Sequence, residues 1–147
     1  MTKKVTVCFV VILLVSVLFA TLTFAQVDPE KALIGTWEGH ADRQAIQDVV
    51  LVITMVKATG DGEWVGRGRF GAPGLVDTQK AGGKLEISIT SKNNEIYLEF
   101  TGPQTKSPVR VKMVSDSKLE GTVGSFDRGR AVDRRITFEK VKAGEVK

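Results

Sequence analysis

Apolar and polar side chains alternate along most of the chain beyond residue 32, and a period of two residues is typical of β-strands. In Lys84–Thr90 every second residue is Leu or Ile, and Glu95–Phe100 repeats the pattern with Ile, Leu and Phe. The residues between these runs, Ser91–Asn94, are polar and favour a turn. The two runs therefore predict a β-hairpin.

The same alternation recurs and predicts an all-β domain. The predicted strands span residues 33–40, 48–57, 63–70, 84–90, 95–100, 109–113, 119–123 and 132–141. Short turns join most of them, which favours an antiparallel up-and-down meander. Closure into a barrel removes exposed strand edges, so we expect a small barrel of about eight strands, with a two-sheet sandwich as the alternative. Such a barrel is either filled by its own side chains or holds one small ligand.

Two segments stand apart from the simple alternation. Val49–Ile53 is apolar on both faces, which predicts a strand covered on both sides. Gly71–Gly83 is the longest predicted connection, and we interpret it either as a flap over the mouth of the barrel or as a plain surface loop.

The chain opens on two lysines and an uncharged, mostly apolar run, Val5–Phe24. This pattern, with a small residue at Ala25, predicts a signal peptide over residues 1–25 and one domain over residues 26–147. The run has 20 residues, which is enough to span a bilayer, so an uncleaved membrane anchor is the alternative. In either case we expect the domain to be exported, to the periplasm or the medium.

Composition excludes several classes of function. One cysteine and one histidine cannot supply a disulfide framework or a zinc finger. Loss of Lys3 and Lys4 with the signal peptide leaves 19 basic residues against 17 acidic ones. So small an excess is not typical of nucleic-acid-binding proteins, and we expect no such partner. We also expect no cofactor.

A short motif at the first predicted strand, Gly35-Thr36-Trp37, resembles the opening signature of lipocalin and avidin-like barrels. Residues 119–124, Leu-Glu-Gly-Thr-Val-Gly, are similar to a strand of small exported bacterial domains of lipocalin-like (calycin-type) form. The resemblance implies that Trp37 plugs one end of the barrel. It also implies that a last-strand arginine, Arg134 or Arg135, packs across the Trp37 ring, as cation–π attraction favours.

The single histidine, His40, shares a predicted strand face with Glu38 and Asp42. Three such side chains have the chemistry to hold a metal ion or to exchange protons. They lie on the face opposite Trp37, however, and we interpret them as a solvent-exposed row. We therefore expect neither a metal site nor a catalytic residue.

Four arginines lie between Arg128 and Arg135. Arginine binds carboxylates and phosphates in a bidentate manner, so the run indicates a site for an anionic group, which together with Arg67 and Arg69 would form a basic rim. The alternative is a polar hairpin whose arginines pair with neighbouring aspartates.

We accordingly expect a non-catalytic protein that binds a small, largely apolar ligand in the barrel lumen, with an anionic group as an option. The predicted ligand-binding residues are inward apolar side chains and two arginines at the mouth: Trp37, Trp64, Phe70, Ile87, Leu98, Phe100, Arg130 and Arg134. Inward glycines at positions 66 and 68 would either enlarge the lumen or let a strand bend at a corner of the barrel.

A second hypothesis is a module that binds another protein. Bacterial protease inhibitors of similar barrel form insert an N-terminal arm into an enzyme's cleft. In this chain Gln26–Ala32 would be that arm.

Overall fold

The computed structural model describes residues 27–41, 48–74, 85–102 and 107–142, except for the side chains of Phe126 and Asp127. The described residues form one short helix, α1 (Pro29–Leu33), and eight strands. The strands are β1 (Gly35–Ala41), β2 (Val49–Gly60), β3 (Glu63–Gly71), β4 (Leu85–Lys92), β5 (Glu95–Phe100), β6 (Val109–Ser115), β7 (Lys118–Asp127) and β8 (Arg130–Lys140). The predicted signal peptide at 1–25, Asp42 and residues 75–83 of the predicted long loop lie outside the described residues.

Each strand pairs antiparallel with the next, and β8 pairs with β1, so the sheet closes into a barrel. The predicted all-β meander and its closure are confirmed, and the sandwich alternative is wrong. Period-two patterning locates the strands because most of them have one buried face and one polar face, β2 being the exception with Val50 and Val52 on its outward face.

The helix α1 is the main element that the sequence pattern missed. The first strand was predicted to begin at Leu33, but Leu33 is the last residue of α1 and β1 begins at Gly35. Asp28 caps the helix by accepting a hydrogen bond from the backbone N–H of Glu30, at 3.1 Å. A helix of five residues is too short to show a 3.6-residue period, so only its cap and Pro29 mark it in the sequence.

Two hairpins turn on residues with positive φ. Asn93 and Asn94 join β4 to β5 at φ 54° and 62°, and Arg128 and Gly129 join β7 to β8 at 48° and 79°. Two successive positive φ angles are characteristic of the type I′ turn, whose twist matches that of the strands.

The centre of the barrel is packed with apolar side chains. The most deeply buried are Leu33, Trp37, Leu51, Ile53, Ile87, Ile89, Leu98, Val109, Leu119, Ile136 and Phe138. On the strand predicted to be covered on both sides, Leu51 is fully buried while the outward Val50 and Val52 are half-buried.

Inward glycines do not create empty space at the positions that the structure describes. A Cβ atom added at Gly66 would lie 3.1 Å from the Ile89 side chain, so that space is already occupied. A Cβ atom at Gly68 would lie 1.9 Å from the carbonyl oxygen of Val52. The register of β2 against β3 shifts nearby, so Gly68 permits close strand approach at an irregular corner, the second of its two predicted roles.

The two ends of the barrel differ. At one end, which we call the helix end, α1 lies beside the tight turns β2–β3, β4–β5 and β6–β7. At the other, which we call the loop end, the chain connects β1 to β2, β3 to β4, β5 to β6 and β7 to β8.

Trp37 is the centre of the helix end. Its side chain is fully buried, and its ring N–H donates a hydrogen bond to the carbonyl oxygen of Leu33 at 2.9 Å. Lys140 pairs with Trp37 across β1 and β8, and its Nζ atom lies 5.2 Å from the ring centroid. The same Nζ donates to the carbonyl oxygen of Ala32 at 2.6 Å. Helix, first strand and last strand are thereby joined at one point.

Gly35 makes this arrangement sterically possible. Its φ angle is +142°, which disfavours any residue with a side chain, and an added Cβ atom would lie 3.0 Å from Lys140 Cε. The Gly-x-Trp motif therefore has a physical reason in this chain: the glycine leaves room for the lysine to reach across the Trp37 ring.

The expectation that Arg134 or Arg135 packs on Trp37 is wrong, because Lys140 does so. The register aligns Trp37 with Lys140. Arg134 is six residues away on β8, about 20 Å at the usual rise per strand residue.

The contacts of Lys140 predict a measurable contribution to stability. Lys140→Met keeps the aliphatic stem but removes the cation and the hydrogen bond to Ala32, so we expect a loss of about 1–3 kcal/mol in the free energy of unfolding. Urea denaturation followed by tryptophan fluorescence measures it. Lys142→Met is the matched control, since Lys142 is exposed just beyond β8. Equal stability of the two variants would contradict the assignment.

Candidate functional site

Arg134 is a half-buried cation on the inward face of the last strand. It alternates in register with Ile136 and Phe138, which are 1% and 0% exposed, so it lies on the inward face of β8. Its Nε atom is buried and has no hydrogen-bond partner in the structure. Its neighbour Arg135 is exposed on the outward face.

A buried donor without an acceptor is costly. Leaving one unpaired typically costs about 1–3 kcal/mol, and more when the group is charged. Such groups are rare in native proteins and call for an explanation, which can be a bound partner. A carboxylate or phosphate oxygen is the acceptor that suits a guanidinium best.

Cross-strand pairing connects Arg134 to an apolar row. Arg134 pairs with Val123, Val123 with Val109, and Val109 with Phe100. The last three are buried, at 4%, 0% and 2% exposure. The row thus carries one positive charge at one end and an aromatic ring at the other.

That ring belongs to a cluster of three phenylalanines with Phe70 in the middle. Phe70 lies edge-on to Phe100, with ring centroids 5.2 Å apart, and to Phe138, at 6.3 Å. Phe138 is fully buried. The edge-to-face arrangement is the one that aromatic quadrupoles favour.

The structure places the predicted ligand-binding residues at different positions in the barrel. Phe70, Ile87, Leu98 and Phe100 all belong to the buried core, and Ile87 pairs directly with Phe100 across β4 and β5. Arg134 lies at the other end of the row that leads to Phe100. Trp37 and Trp64 lie towards the helix end, and Arg130 is exposed beside the β7–β8 turn. Arg134 lies six residues along β8 from Lys140, the partner of Trp37, so Trp37 and Arg134 lie towards different ends of the barrel. Whether any of the set binds a ligand stays a prediction.

Trp64 borders a separate surface depression at the helix end. This depression, of about 340 Å³, lies between the start of α1 and the β2–β3 turn. Trp64 is half-buried there and packs against the core. Arg67 and Arg69, expected at a basic rim, sit on the outward face of β3, opposite Phe70.

The predicted outward row of β1 is exposed at Glu38 and His40. His40 Nδ1 lies 2.9 Å from a carboxylate oxygen of Asp48, across the β1–β2 connection. Among the described residues no three His, Cys, Asp or Glu side chains group as metal ligands. Asp42, the third member of the predicted row, is outside that part of the chain.

Most of the predicted N-terminal arm belongs to the barrel. Residues 29–32 lie within α1, Pro29 is buried, and Ala32 accepts the hydrogen bond from Lys140. Of the predicted arm, Gln26 lies outside the described residues. Residues 29–32 are therefore not a free arm of the inhibitor type.

The outer wall of the barrel carries a set of polar side-chain contacts that the sequence pattern did not predict. Tyr97 donates a hydrogen bond to Glu95 at 2.5 Å, and Lys112 donates to the other oxygen of the same carboxylate, also at 2.5 Å. Lys112 Nζ lies 5.6 Å from the Tyr97 ring centroid. The hydrogen bonds from Lys112 and Tyr97 lower the pKa of Glu95, and the bond to Glu95 raises the pKa of Tyr97.

No family of known proteins, no curated protein and no solved structure matches this chain. Within the described ranges no helix is long and apolar enough to cross a membrane.

The contact between Tyr97 and Glu95 predicts an alkaline titration with one visible group. Tyr97 is the only tyrosine of the chain, so ultraviolet absorbance of the phenolate reports it alone. We expect its pKa to lie above the usual value of about 10, because the bond to the Glu95 carboxylate favours the protonated phenol.

Glu95→Gln should bring the pKa of Tyr97 back towards the usual value, and the urea-unfolded protein provides the reference. A native Tyr97 that titrates with the unfolded chain, or a variant with an unchanged pKa, would contradict the hydrogen bond.

Proposed function

We propose that this protein is an exported, non-catalytic binding protein of lipocalin-like type, which takes a small apolar ligand with an anionic group at the loop end of its barrel. The observation that carries the proposal is the buried, unpaired Nε atom of Arg134 on the inward face of β8. Export is inferred from the signal-type segment, residues 1–25.

The chemistry around Arg134 supports an amphiphilic ligand. The guanidinium offers a charge-assisted hydrogen bond to a carboxylate or phosphate. The row through Val123 and Val109 to Phe100 offers apolar contact for a hydrocarbon chain. A ligand with both features satisfies the orphaned donor and buries apolar surface at once.

Packing supports a site towards the loop end and argues against a deep one. The space that inward glycines leave at Gly39 and Gly66 is taken by Phe138 and by Ile87 and Ile89. The ligand would therefore contact the aromatic cluster around Phe70 rather than reach Trp37.

Calorimetric titration with dodecanoate and with dodecanol tests the proposal, because the two differ in charge and share the chain. We expect the wild type to bind dodecanoate more tightly. Arg134→Met should weaken dodecanoate binding at least about tenfold, since a hydrogen bond to a charged group typically contributes 1.5–3 kcal/mol. Its effect on dodecanol should be much smaller.

Arg135→Met is the matched control, because the adjacent arginine faces outward. It should leave the affinity for dodecanoate within about twofold of the wild type. Equal weakening by both variants would contradict a specific contact between Arg134 and the ligand, since it would show an effect of general surface charge. Failure of the wild type to bind either probe would contradict the proposed ligand class.

A further inference from the structure

A second concave surface lies on the outer wall of the barrel, on the face of the sheet away from the core. It is a groove of about 510 Å³ that crosses β4, β5, β6 and β7. Most of its lining residues carry a polar group, namely the hydroxyls of Ser88 and Thr90, the phenol of Tyr97 and four charged side chains, although carbon atoms make up most of the lining surface. None of the residues that line the groove belongs to the row from Arg134 to Phe100 or to the phenylalanine cluster around Phe70.

Close strand approach shapes this wall. A Cβ atom added at Gly121 would lie 1.9 Å from the carbonyl oxygen of Arg110 and 2.6 Å from the Cα of Val111. The backbones of β6 and β7 therefore come together there more closely than a side chain permits, and all three residues line the groove.

The charges in the groove balance. Two lining residues are cationic, Arg110 and Lys112, and two are anionic, Glu99 and Glu120. Arg110 Nε donates to Glu99 at 2.9 Å, and Lys118 contacts Glu120 at 2.5 Å. A lining without net charge gives no field that would attract a strongly charged ligand.

Hydrogen-bonding capacity remains after these pairs are made. Within the described residues Arg110 donates through Nε alone, while a guanidinium carries five N–H groups in a fixed fork. Glu99 holds that fork in place from the neighbouring strand. The remaining donors are therefore oriented before any ligand arrives, which lowers the entropy cost of binding.

Tyr97 supplies the one aromatic ring of the groove. Its side chain is 42% exposed, yet the hydroxyl is held by Glu95 and Lys112 lies over the ring. An exposed ring that is already fixed in position is a ready surface for stacking.

We propose that this groove binds a neutral, hydroxyl-rich ligand, an oligosaccharide, with Tyr97 as the stacking surface and the Arg110–Glu99 pair as the hydrogen-bonding group. Donors and acceptors side by side match the hydroxyl groups of a sugar, which both donate and accept. A protein partner would fit less well, since stable protein interfaces bury about 800 Å² per partner around several apolar anchors, and the groove has one aromatic ring.

The test uses the single tyrosine as a probe. Protein labelled with 3-fluorotyrosine should give one fluorine resonance, from position 97. It is titrated with oligosaccharides of β-1,4-linked glucose, β-1,4-linked N-acetylglucosamine and α-1,4-linked glucose, and separately with inorganic phosphate and with dodecanoate. We expect at least one oligosaccharide to shift the resonance in a saturable way, and phosphate and dodecanoate to leave it unmoved.

Two variants assign the binding to the groove. Arg110→Ala should weaken oligosaccharide binding at least about tenfold, the loss expected when hydrogen bonds from a charged group are removed. Arg67→Ala, on the outward face of β3 away from the groove, is the control and should bind as the wild type does. Glu99→Gln provides a second groove variant in case Arg110→Ala is unstable, and it should also weaken binding.

Absence of any saturable shift with all three oligosaccharides would overturn the proposal, as would a shift that survives in both groove variants. A shift by phosphate with none by the sugars would overturn it in favour of an anion site. The dodecanoate titration keeps the two proposals separate. If dodecanoate fails to bind near Arg134, the shift of the Tyr97 resonance that we expect from an oligosaccharide is unaffected. If no oligosaccharide shifts that resonance, the binding of dodecanoate near Arg134 is unaffected.

Discussion

The barrel depends on the contact between its first and last strands at Trp37. Closure requires β8 to meet β1, and the Trp37–Lys140 pair lies where the two strands also meet the helix. Lys140 contributes a cation over the ring and a hydrogen bond to Ala32, while Trp37 donates to Leu33. Gly35 is required by both its backbone angle and the space that Lys140 occupies. Sheet closure and attachment of the helix are thus one interaction.

Because the middle of the barrel is packed, both of the binding sites that we propose lie away from it. The aromatic cluster of Phe70, Phe100 and Phe138 fills the space that a deep ligand would need. What remains is the loop end, with the unpaired donor of Arg134, and the outer wall around Tyr97. The first proposed site has a half-buried cation beside apolar side chains, and the second is exposed, with charges that balance. They suit different chemical classes of ligand.

The alternation of apolar and polar residues predicted the strands well, because a strand with one buried face has such an alternation. The short turns predicted the hairpins, because a short turn places neighbouring strands side by side. The pattern predicted that the barrel closes but not the register of β1 against β8, which joins residues about a hundred positions apart and decides that Lys140, not Arg134, meets Trp37. Alternation also shows which residues face inward but not how far along the barrel each lies, so it could not show that Trp37 and Arg134 lie towards different ends. The outer groove left a signal in Glu95-x-Tyr97-x-Glu99 and Arg110-x-Lys112, whose complementarity appears only once β5 and β6 are paired.

The central claim is that the loop end of the barrel binds an amphiphilic ligand with a hydrocarbon chain and an anionic group. Native mass spectrometry tests this claim most directly. The protein is purified without detergent from the cells that express it and measured before and after incubation with a lipid extract of those cells. The account predicts a single bound molecule with the mass of an amphiphilic anion, released when the protein is unfolded. A protein that keeps its own mass under both conditions would contradict the account and leave the barrel as a filled scaffold.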